Sequence, residues 1–538
     1  MTDTAITAGG IAARPTSIHT DDAAKARLRK RYAAELRFKW LGAGAVALSG
    51  LFLVLLLSTI IVQAIPALRM NYMTLPLDLS AARVDPAKLG EVNYDAIIQD
   101  ALAAKFPDAT SRQDRRLVRG LVSSGSGVFL RQDIAADASM LGKTTDYAVP
   151  VDDFADLYLK GLLADQGSLS PIAGQLTASA DSGDVELAFT DDAILTVAHG
   201  AGATEAEGGV MQITSGAPSL LAGLNGGVVK ITQLAKGEAG GAVGKGLVIR
   251  KLSSAAPASD GEATLRVIDT PESSRKISDK EIVWIDALKA EKLVESRFNS
   301  VFFFTGASRE PELAGVWGAI VGSFLTMVVT LAISFPIGVA AAIYLEEFAP
   351  KNRWTTFIEV NINNLAAVPS IVYGLLGLAV FLNFFGMPRS APVVGGMVLA
   401  LMTLPIIIIA SRAAIRAVPP SIREAALGIG ASKMQTVFHH VLPLAMPGIM
   451  TGTILGMAHA LGETAPLLMI GMVAFIVDVP GGFTDPATIL PVQIFMWADF
   501  PEPGFQQKTS AAILILLAFL IIMNAIAVIL RKRFERRW

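Results

Sequence analysis

Three places in this 538-residue chain put residues able to do chemistry inside apolar sequence. The first is Glu463, with His459 four residues before it. A carboxylate within an apolar helix costs roughly 2.5–3.5 kcal/mol on insertion scales, so it needs a partner or a watery path. His459 falls one helical turn earlier on the same face and is the obvious partner. Two roles are open to the pair: lining a pathway, or a plain hydrogen bond between helices. The second place is Pro369-Ser370, which breaks an apolar span near its middle. The freed backbone groups and the Ser370 hydroxyl could face a substrate, or neighbours could satisfy a simple proline kink. The third is Arg412, with Arg416, near the end of another apolar run. Arginine suits an oxyanion, although the excess of Lys and Arg in cytoplasmic loops already accounts for both.

Between apolar segments lies Ser421-Ile-Arg-Glu424-Ala425-Ala426-Leu-Gly-Ile-Gly430, followed by Leu442-Pro443. Pro419 and Pro420 stop a helix arriving from upstream. Ser421 stands where an N-cap belongs, and Glu424 completes a capping box. Gly428 and Gly430 allow a sharp turn. Ser432 with Gln435 repeats the capping signature, and Pro443 limits the second helix. The expectation is a cytoplasmic helical hairpin whose small face, Ala425 and Ala426, lets another backbone approach.

The elements around these residues are set by composition. The chain is 52% hydrophobic and 17% charged, with mean hydropathy +0.51, which makes it a polytopic membrane protein with a sizeable soluble part. The net charge of −2 hides two basic clusters, at 25–39 and 531–537, each abutting an apolar run. The positive-inside rule places both termini in the cytoplasm, and these clusters imply no nucleic-acid partner. Cysteine is absent, which fixes no compartment. Residues 1–40 read as a basic cytoplasmic segment and 41–64 as a first span, a signal anchor longer than a secretory h-region despite Val62-Gln63-Ala64. Further spans are expected at 316–345, 362–385, 391–412, 445–475 and 511–531, with 532–538 as a cytoplasmic tail. The fold class is an all-α polytopic membrane protein of six helices with an inserted extracytoplasmic α+β domain, 65–315. Within it, 93–106 and 281–297 have helical periodicity, and 184–198, 227–234, 246–252 and 262–268 read as strands. Gly/Ala-rich stretches at 199–210 and 235–246 read as loops. The run Gly240 to Gly246 superficially matches a phosphate-cradling loop, but Ala239 and Gly246 break that pattern. Gly448, Gly452, Gly456, Ala460 and Thr464 form a small-residue stripe suited to tight helix packing.

The Glu424-Ala425-Ala426 block with Gly430 and Leu442-Pro443 in register resembles the coupling loop of ABC-importer permeases. The segments Gly462-Glu463-Thr464-Ala465-Pro466-Leu467-Leu468, Leu365 to Gly374, and Thr403-Leu404-Pro405 are similar to those of the A-type permease of phosphate importers. The likeness covers 312–538, the permease core at 316–531 included. The family often has Arg at the position of His459 and an aliphatic residue at that of His440. Its first loop is usually short, yet the stretch from Phe302 to Gly315 resembles an N-terminally extended subgroup. This resemblance implies a type I ABC-importer permease fold and alternating access coupled through the 421–443 loop. It also implies a homologous C-type sister permease, two copies of a cytoplasmic ATPase, and an extracytoplasmic phosphate-binding protein, all in a bacterial inner membrane. The chain is then no enzyme and binds no cofactor or metal; ATP and Mg sit on the ATPase. Glu463, His459, Ser370 and Arg412 are the pathway candidates. Ser421, Glu424, Ala425, Ala426, Gly430, Leu442 and Pro443 are the coupling candidates. Two other readings are a permease for sulfate or molybdate, against which the Gly-Glu-Thr-Ala-Pro block argues, and a membrane-anchored sensor, which would need a longer cytoplasmic segment.

Overall fold

The computed structural model describes residues 22–534, apart from 81, 86–87, 108, 110, 164–166, 172–173, 178–183, 190–192, 201–203, 207–209, 215, 225–226, 238–240, 251–263 and 474. Parts of both expected terminal segments, and Ala239 and Gly240, therefore lie outside the described residues. One helix, Asp22–Ala64, carries both the basic stretch and the first apolar run. Its apolar half is hydrophobic all round, as lipid requires, and up to Val62 it forms a unit of its own.

Among the described residues five helices are long and apolar enough to cross a membrane: Lys25–Leu68, Trp317–Phe348, Pro392–Arg416, Lys433–Gly462 and Gly504–Arg533. A pair bent by 100°, Arg353–Ala366 with Ser370–Phe384, makes a sixth if it is counted as one span. Two expected spans thus need correction. The third, expected at 362–385, is the second limb of that bend, because Pro369 donates no hydrogen bond and disfavours helical geometry before it. The first limb carries Asn361, Asn363 and Asn364, too polar for the middle of a bilayer. The other, expected at 445–475, begins at Lys433 and stops at Gly462.

The helix Pro392–Arg416 is the hub of the core. It packs between Trp317–Ile343 and Leu442–Gly462, and Val394, Val398, Leu399 and Ile407 are inaccessible. The stripe of small residues does what its spacing suggests. A side chain at Gly448 would strike Ala414 and one at Gly452 would strike Ala410, so the two helices run antiparallel with backbones close.

The region between the first and second long apolar helices is mixed α/β. Strand Arg69–Asp78 pairs antiparallel with Val294–Phe298 on one side and Thr144–Pro150 on the other. The register sets Arg69 opposite Phe298, and the Asn299 amide donates to the Leu68 carbonyl at 2.9 Å. The region therefore starts and finishes at one point, as an insertion must. Helix Tyr94–Lys105 matches its expected periodicity, and its Ile97, Ile98 and Leu102 fill the core over this sheet. A second sheet, nine-stranded among the described residues, contains Asp184–Phe189, Gly227–Lys236, Ala242–Arg250 and Thr264–Ile268.

Four local expectations differ from the structure. The strand expected at 184–198 ends at Phe189, and Ala193–Gly200 is a helix whose Ile194 and Ala198, four apart, share a buried face. The helix expected at 281–297 spans Asp279–Ala290; the chain reverses at Lys292, at φ 59°, and continues as a strand. In the Gly-rich 235–246 stretch, Ala235, Lys236 and residues 242–246 lie in antiparallel strands rather than a loop. There the Gly237 amide donates to the Gly241 carbonyl at 2.7 Å, and a Cβ at Gly246 would sit 2.6 Å from the Lys230 carbonyl oxygen. Glycine there serves strand packing, not phosphate. The 199–210 stretch includes a short strand, Thr204–Ala206.

Candidate translocation and coupling site

Glu463 does not lie within a helix, as its apolar surroundings suggested. The helix Leu442–Gly462 stops one residue earlier, Glu463 adopts an extended conformation, and a short helix, Ala465–Met469, follows. Pro466 explains the break. It cannot donate to the Gly462 carbonyl, but it is tolerated in the first turn of a new helix. His459 Nε2 lies 3.3 Å from Glu463 Oε1, so the pair forms as the spacing predicted. Glu463 is mostly covered, whereas the His459 side chain is 53% exposed and forms the open edge of the pair.

A second break faces this one. Pro369 caps the helix Ser370–Gly377, and the Tyr373 hydroxyl donates to the Leu365 carbonyl at 2.7 Å, closing the bend. Gly374 meets Pro466 so closely that a Cβ would lie 2.6 Å from its Cα. Ser370 and Glu463 each stand within about one helical turn of that contact. The structure thus juxtaposes two interrupted helices, and irregular backbone at membrane depth is tolerated only where protein or a watery cavity covers it.

Arg412 stands apart from both breaks. Ala410 and Ala414 oppose Gly452 and Gly448, which puts Arg412 about nine residues, roughly 13 Å, below the level of His459. Both ends of its guanidinium are taken: Nε by Glu346 and Nη2 by Glu359, each at 2.7 Å. Arg416 shares Glu346 at 2.7 Å. This position ties three segments together.

The hairpin at 420–441 sits against the same turn. Helix Pro420–Gly428 begins with proline, so Ser421 is its second residue and caps nothing; a first-turn proline displaced the expected capping box. Gly430 adopts φ +90°, the turn expected of it. Ser432 and Gln435 form the second capping box, with bonds of 3.2 and 2.8 Å. Pro443 ends no helix. A wide π-helical turn, Thr436–Val441, absorbs the lost hydrogen bond, and the helix runs on past Leu442. Ala426 is buried inward while Ala425 and Glu424 face out. The outer surface also carries Leu427, Ile429, Met434 and Phe438, all exposed.

The sequence reading missed what anchors this hairpin. Arg423 bonds Glu347 Oε1 at 2.7 and 3.0 Å and the Val418 and Ile415 carbonyls at 2.7 and 2.9 Å. Lys433 lies over the Phe348 ring at 5.2 Å. Tyr344–Phe348, a π-helical turn closing the first core helix, therefore holds both Arg412 and the hairpin. The signal was Glu346-Glu347 at the end of an apolar run, with three loop arginines lacking assigned acids.

Missed too was a buried cluster at the other end of the core. Ser123 Oγ donates to Glu312 Oε1 at 2.5 Å, and Lys508 Nζ donates to the Ala314 carbonyl at 2.7 Å. Burial, with Asp152 and Asp153 nearby, pushes Glu312 up to about 8. Burial and the neighbouring Asp152 and Asp156 push Asp153 up to about 7.

Comparison with known proteins places this geometry. The family model described as "Binding-protein-dependent transport system inner membrane component" matches residues 334–538, and a domain of unknown function, DUF3333, matches 25–167. Phosphate transport system permease protein PstA 1 of Mycobacterium tuberculosis is 32% identical over 227 residues, 42% of this chain and 73% of that protein. The chain belongs to the PstA permease family. PstA of Yersinia pestis is 31% identical over 249 residues, 46% of this chain and 82% of the relative. The chain spans 58% of the length of the probable ABC transporter permease YqgI of Bacillus subtilis, at 35% identity. The match to the inner membrane component model takes in the hairpin and the Glu463 break together. These relatives are named as permeases of transport systems, not as enzymes.

Proposed function

We propose that this chain is a transmembrane subunit of an ATP-driven importer of inorganic phosphate. The observation that supports this most is the likeness to PstA permeases over 73% and 82% of their length. In this reading the chain makes six spans of a type I importer permease in a bacterial inner membrane. Both termini lie in the cytoplasm and 65–315 lies outside. A homologous C-type permease pairs with it, two cytoplasmic ATPase copies hold ATP and Mg, and an extracytoplasmic phosphate-binding protein delivers substrate.

The hairpin's exposed Leu427, Ile429, Met434 and Phe438 offer an apolar knob to the ATPase. Motion there reaches the core through Glu346, Glu347 and their arginines, since these pairs join the hairpin to the helices ending at Phe348 and Arg416. The two interrupted helices are where that motion would open or close a path, because their backbones are not locked in continuous ladders. A lone carboxylate would repel phosphate. Glu463 therefore serves to hold a cation, His459 or an arginine of either permease, in one of two states.

The test is reconstitution of the complete transporter in proteoliposomes. ATP-dependent uptake of phosphate but not sulfate is expected, and Glu463→Gln should leave assembly intact while lowering uptake. Normal uptake by that variant between about pH 6 and 8 would reduce the pair to a structural bond.

A further inference from the structure

The mixed α/β region carries the helix Arg112–Arg119, with arginine at 112, 115, 116 and 119. That spacing gathers four guanidinium groups on one face, within an arc of about 100°. All four are exposed, while Asp114 and Val118 on the opposite face are buried. The helix's single acid is turned away and engaged: Asp114 pairs with Lys280 at 2.6 Å, and its amide is capped by Ser111 at 3.0 Å. Among the described residues none of the four arginines has a carboxylate partner. With Gln113 they line an open space of about 950 Å³.

Such a surface is not what stability alone favours. Like charges three and four residues apart repel by roughly 0.2–0.5 kcal/mol a pair, so mixed signs would suit the helix better. Its position is informative. The next residues lead straight to the membrane core: the Asp152 amide donates to the Leu121 carbonyl at 3.0 Å, and Ser123 holds Glu312, just before the helix starting at Trp317. The stripe thus stands beside the end of the core opposite the hairpin.

We propose that this arginine stripe docks an acidic face of the substrate-binding protein. The inference rests on the importer reading above, which puts that end of the core outside. Four planar forks spread along roughly 10 Å of helix suit carboxylates distributed over a protein surface. A single small anion could engage only part of such a row. Exposed charges of this kind act mainly on the association rate, by steering encounter, and salt screens them.

The experiment uses the complete transporter in nanodiscs and its purified binding protein, with the association rate read optically. The combined variant Arg112→Gln, Arg115→Gln, Arg116→Gln, Arg119→Gln should lower that rate about tenfold at low salt, the difference closing near 1 M. The same four positions changed to Lys should keep most of the rate. Folding is checked independently: removing like-charge repulsion should leave the melting temperature equal or higher. An unchanged association rate in the folded Gln variant overturns the proposal. So does lost binding to anionic-lipid vesicles with the binding-protein rate intact, which would assign the stripe to a membrane surface. Uptake by the unaltered complex separates the two readings. Transport of an oxyanion other than phosphate would sink the phosphate assignment, while the association rates would still decide the stripe.

Discussion

At the hairpin end of the membrane core, Arg412, Arg416 and Arg423 meet Glu346, Glu347 and Glu359 in matched pairs. At the opposite end, Glu312 and Asp153 each bury an oxygen, Oε2 and Oδ2, with no hydrogen-bond partner among the described residues. Burying charge is costly, and the two ends meet that cost differently. Guanidinium groups stay ionised at any accessible pH, so the hairpin end must balance charge with charge. Carboxyl groups have the alternative of protonating. Glu312 and Asp153, raised to about 8 and about 7, are placed to use it near neutrality. The first arrangement fastens the hairpin to the core at any accessible pH. The second makes the junction between the inserted region and the core depend on pH.

The largest effect should come from breaking the charge balance. Arg412→Ala would leave Glu359 without its cation and Glu346 with Arg416 alone. With Glu346 nearly covered but still paired, the loss should be about 2–3 kcal/mol, the range for hydrogen bonds to charged groups. Thermal unfolding in detergent would measure it. Arg412→Lys should recover only part, because an ammonium cannot span two carboxylates with a planar fork. A loss below about 1 kcal/mol for the alanine variant would mean that this end is not held by its ion pairs.

An intermediate effect is expected at the opposite end, and its sign distinguishes the two ends. Glu312 binds a proton more tightly in the fold than in the unfolded chain, where a glutamate titrates near 4.3. Between the two values the folded state holds more protons, so the Glu312 contribution to stability falls as pH rises from about 4.5 toward about 8, whereas Lys508, pushed down to about 7 by burial, opposes it above about pH 7. Asp153 acts in the same direction up to about pH 7. Melting temperature measured between about pH 4.5 and 7, below the reach of Lys508, should therefore decline with pH. In Glu312→Gln, which stays neutral and can still accept from Ser123, the decline should be shallower. An equal slope in both proteins would show that Glu312 does not titrate there.

Much of this architecture is legible in the sequence because lipid imposes long apolar runs, and small residues four apart announce close helix packing. Gly448, Gly452 and Gly456 are examples, as is the His459–Glu463 pair. What the sequence conceals is where runs break and which charges meet. Pro369 was recognised as a breaker, but nothing local revealed that the preceding limb would bend by 100°. In the sequence Pro466 belongs to a motif; in the fold it is the reason a helix stops at Gly462. Arg412 looked like a substrate ligand since its acids, Glu346 and Glu359, lie more than fifty residues away. Glu312 and Lys508 are separated further still, and only the fold brings both to the same buried junction.

The smallest predicted effect tests the hairpin at the level of single caps. Two serines, Ser421 and Ser432, each precede an acidic or amide residue by three positions, and both read as capping boxes from sequence. Only Ser432 is one: it accepts from the Gln435 amide at 3.2 Å, while Gln435 Oε1 accepts from the Ser432 amide at 2.8 Å. At Ser421 the first-turn proline takes over the start of the helix, and the serine is exposed with its acceptor role unused. Ser432→Ala should therefore cost about 1 kcal/mol, the usual loss for a missing cap, and Ser421→Ala should stay within about 0.5 kcal/mol of the parent. Hydrogen exchange at the Gln435 amide offers the sharper measurement, since only the first substitution frees that donor. Faster exchange there in the Ser432 variant, with no change in the Ser421 variant, is the expected pattern. Equal losses in both would mean that the hairpin starts its first helix at Ser421 after all, with Pro420 outside it.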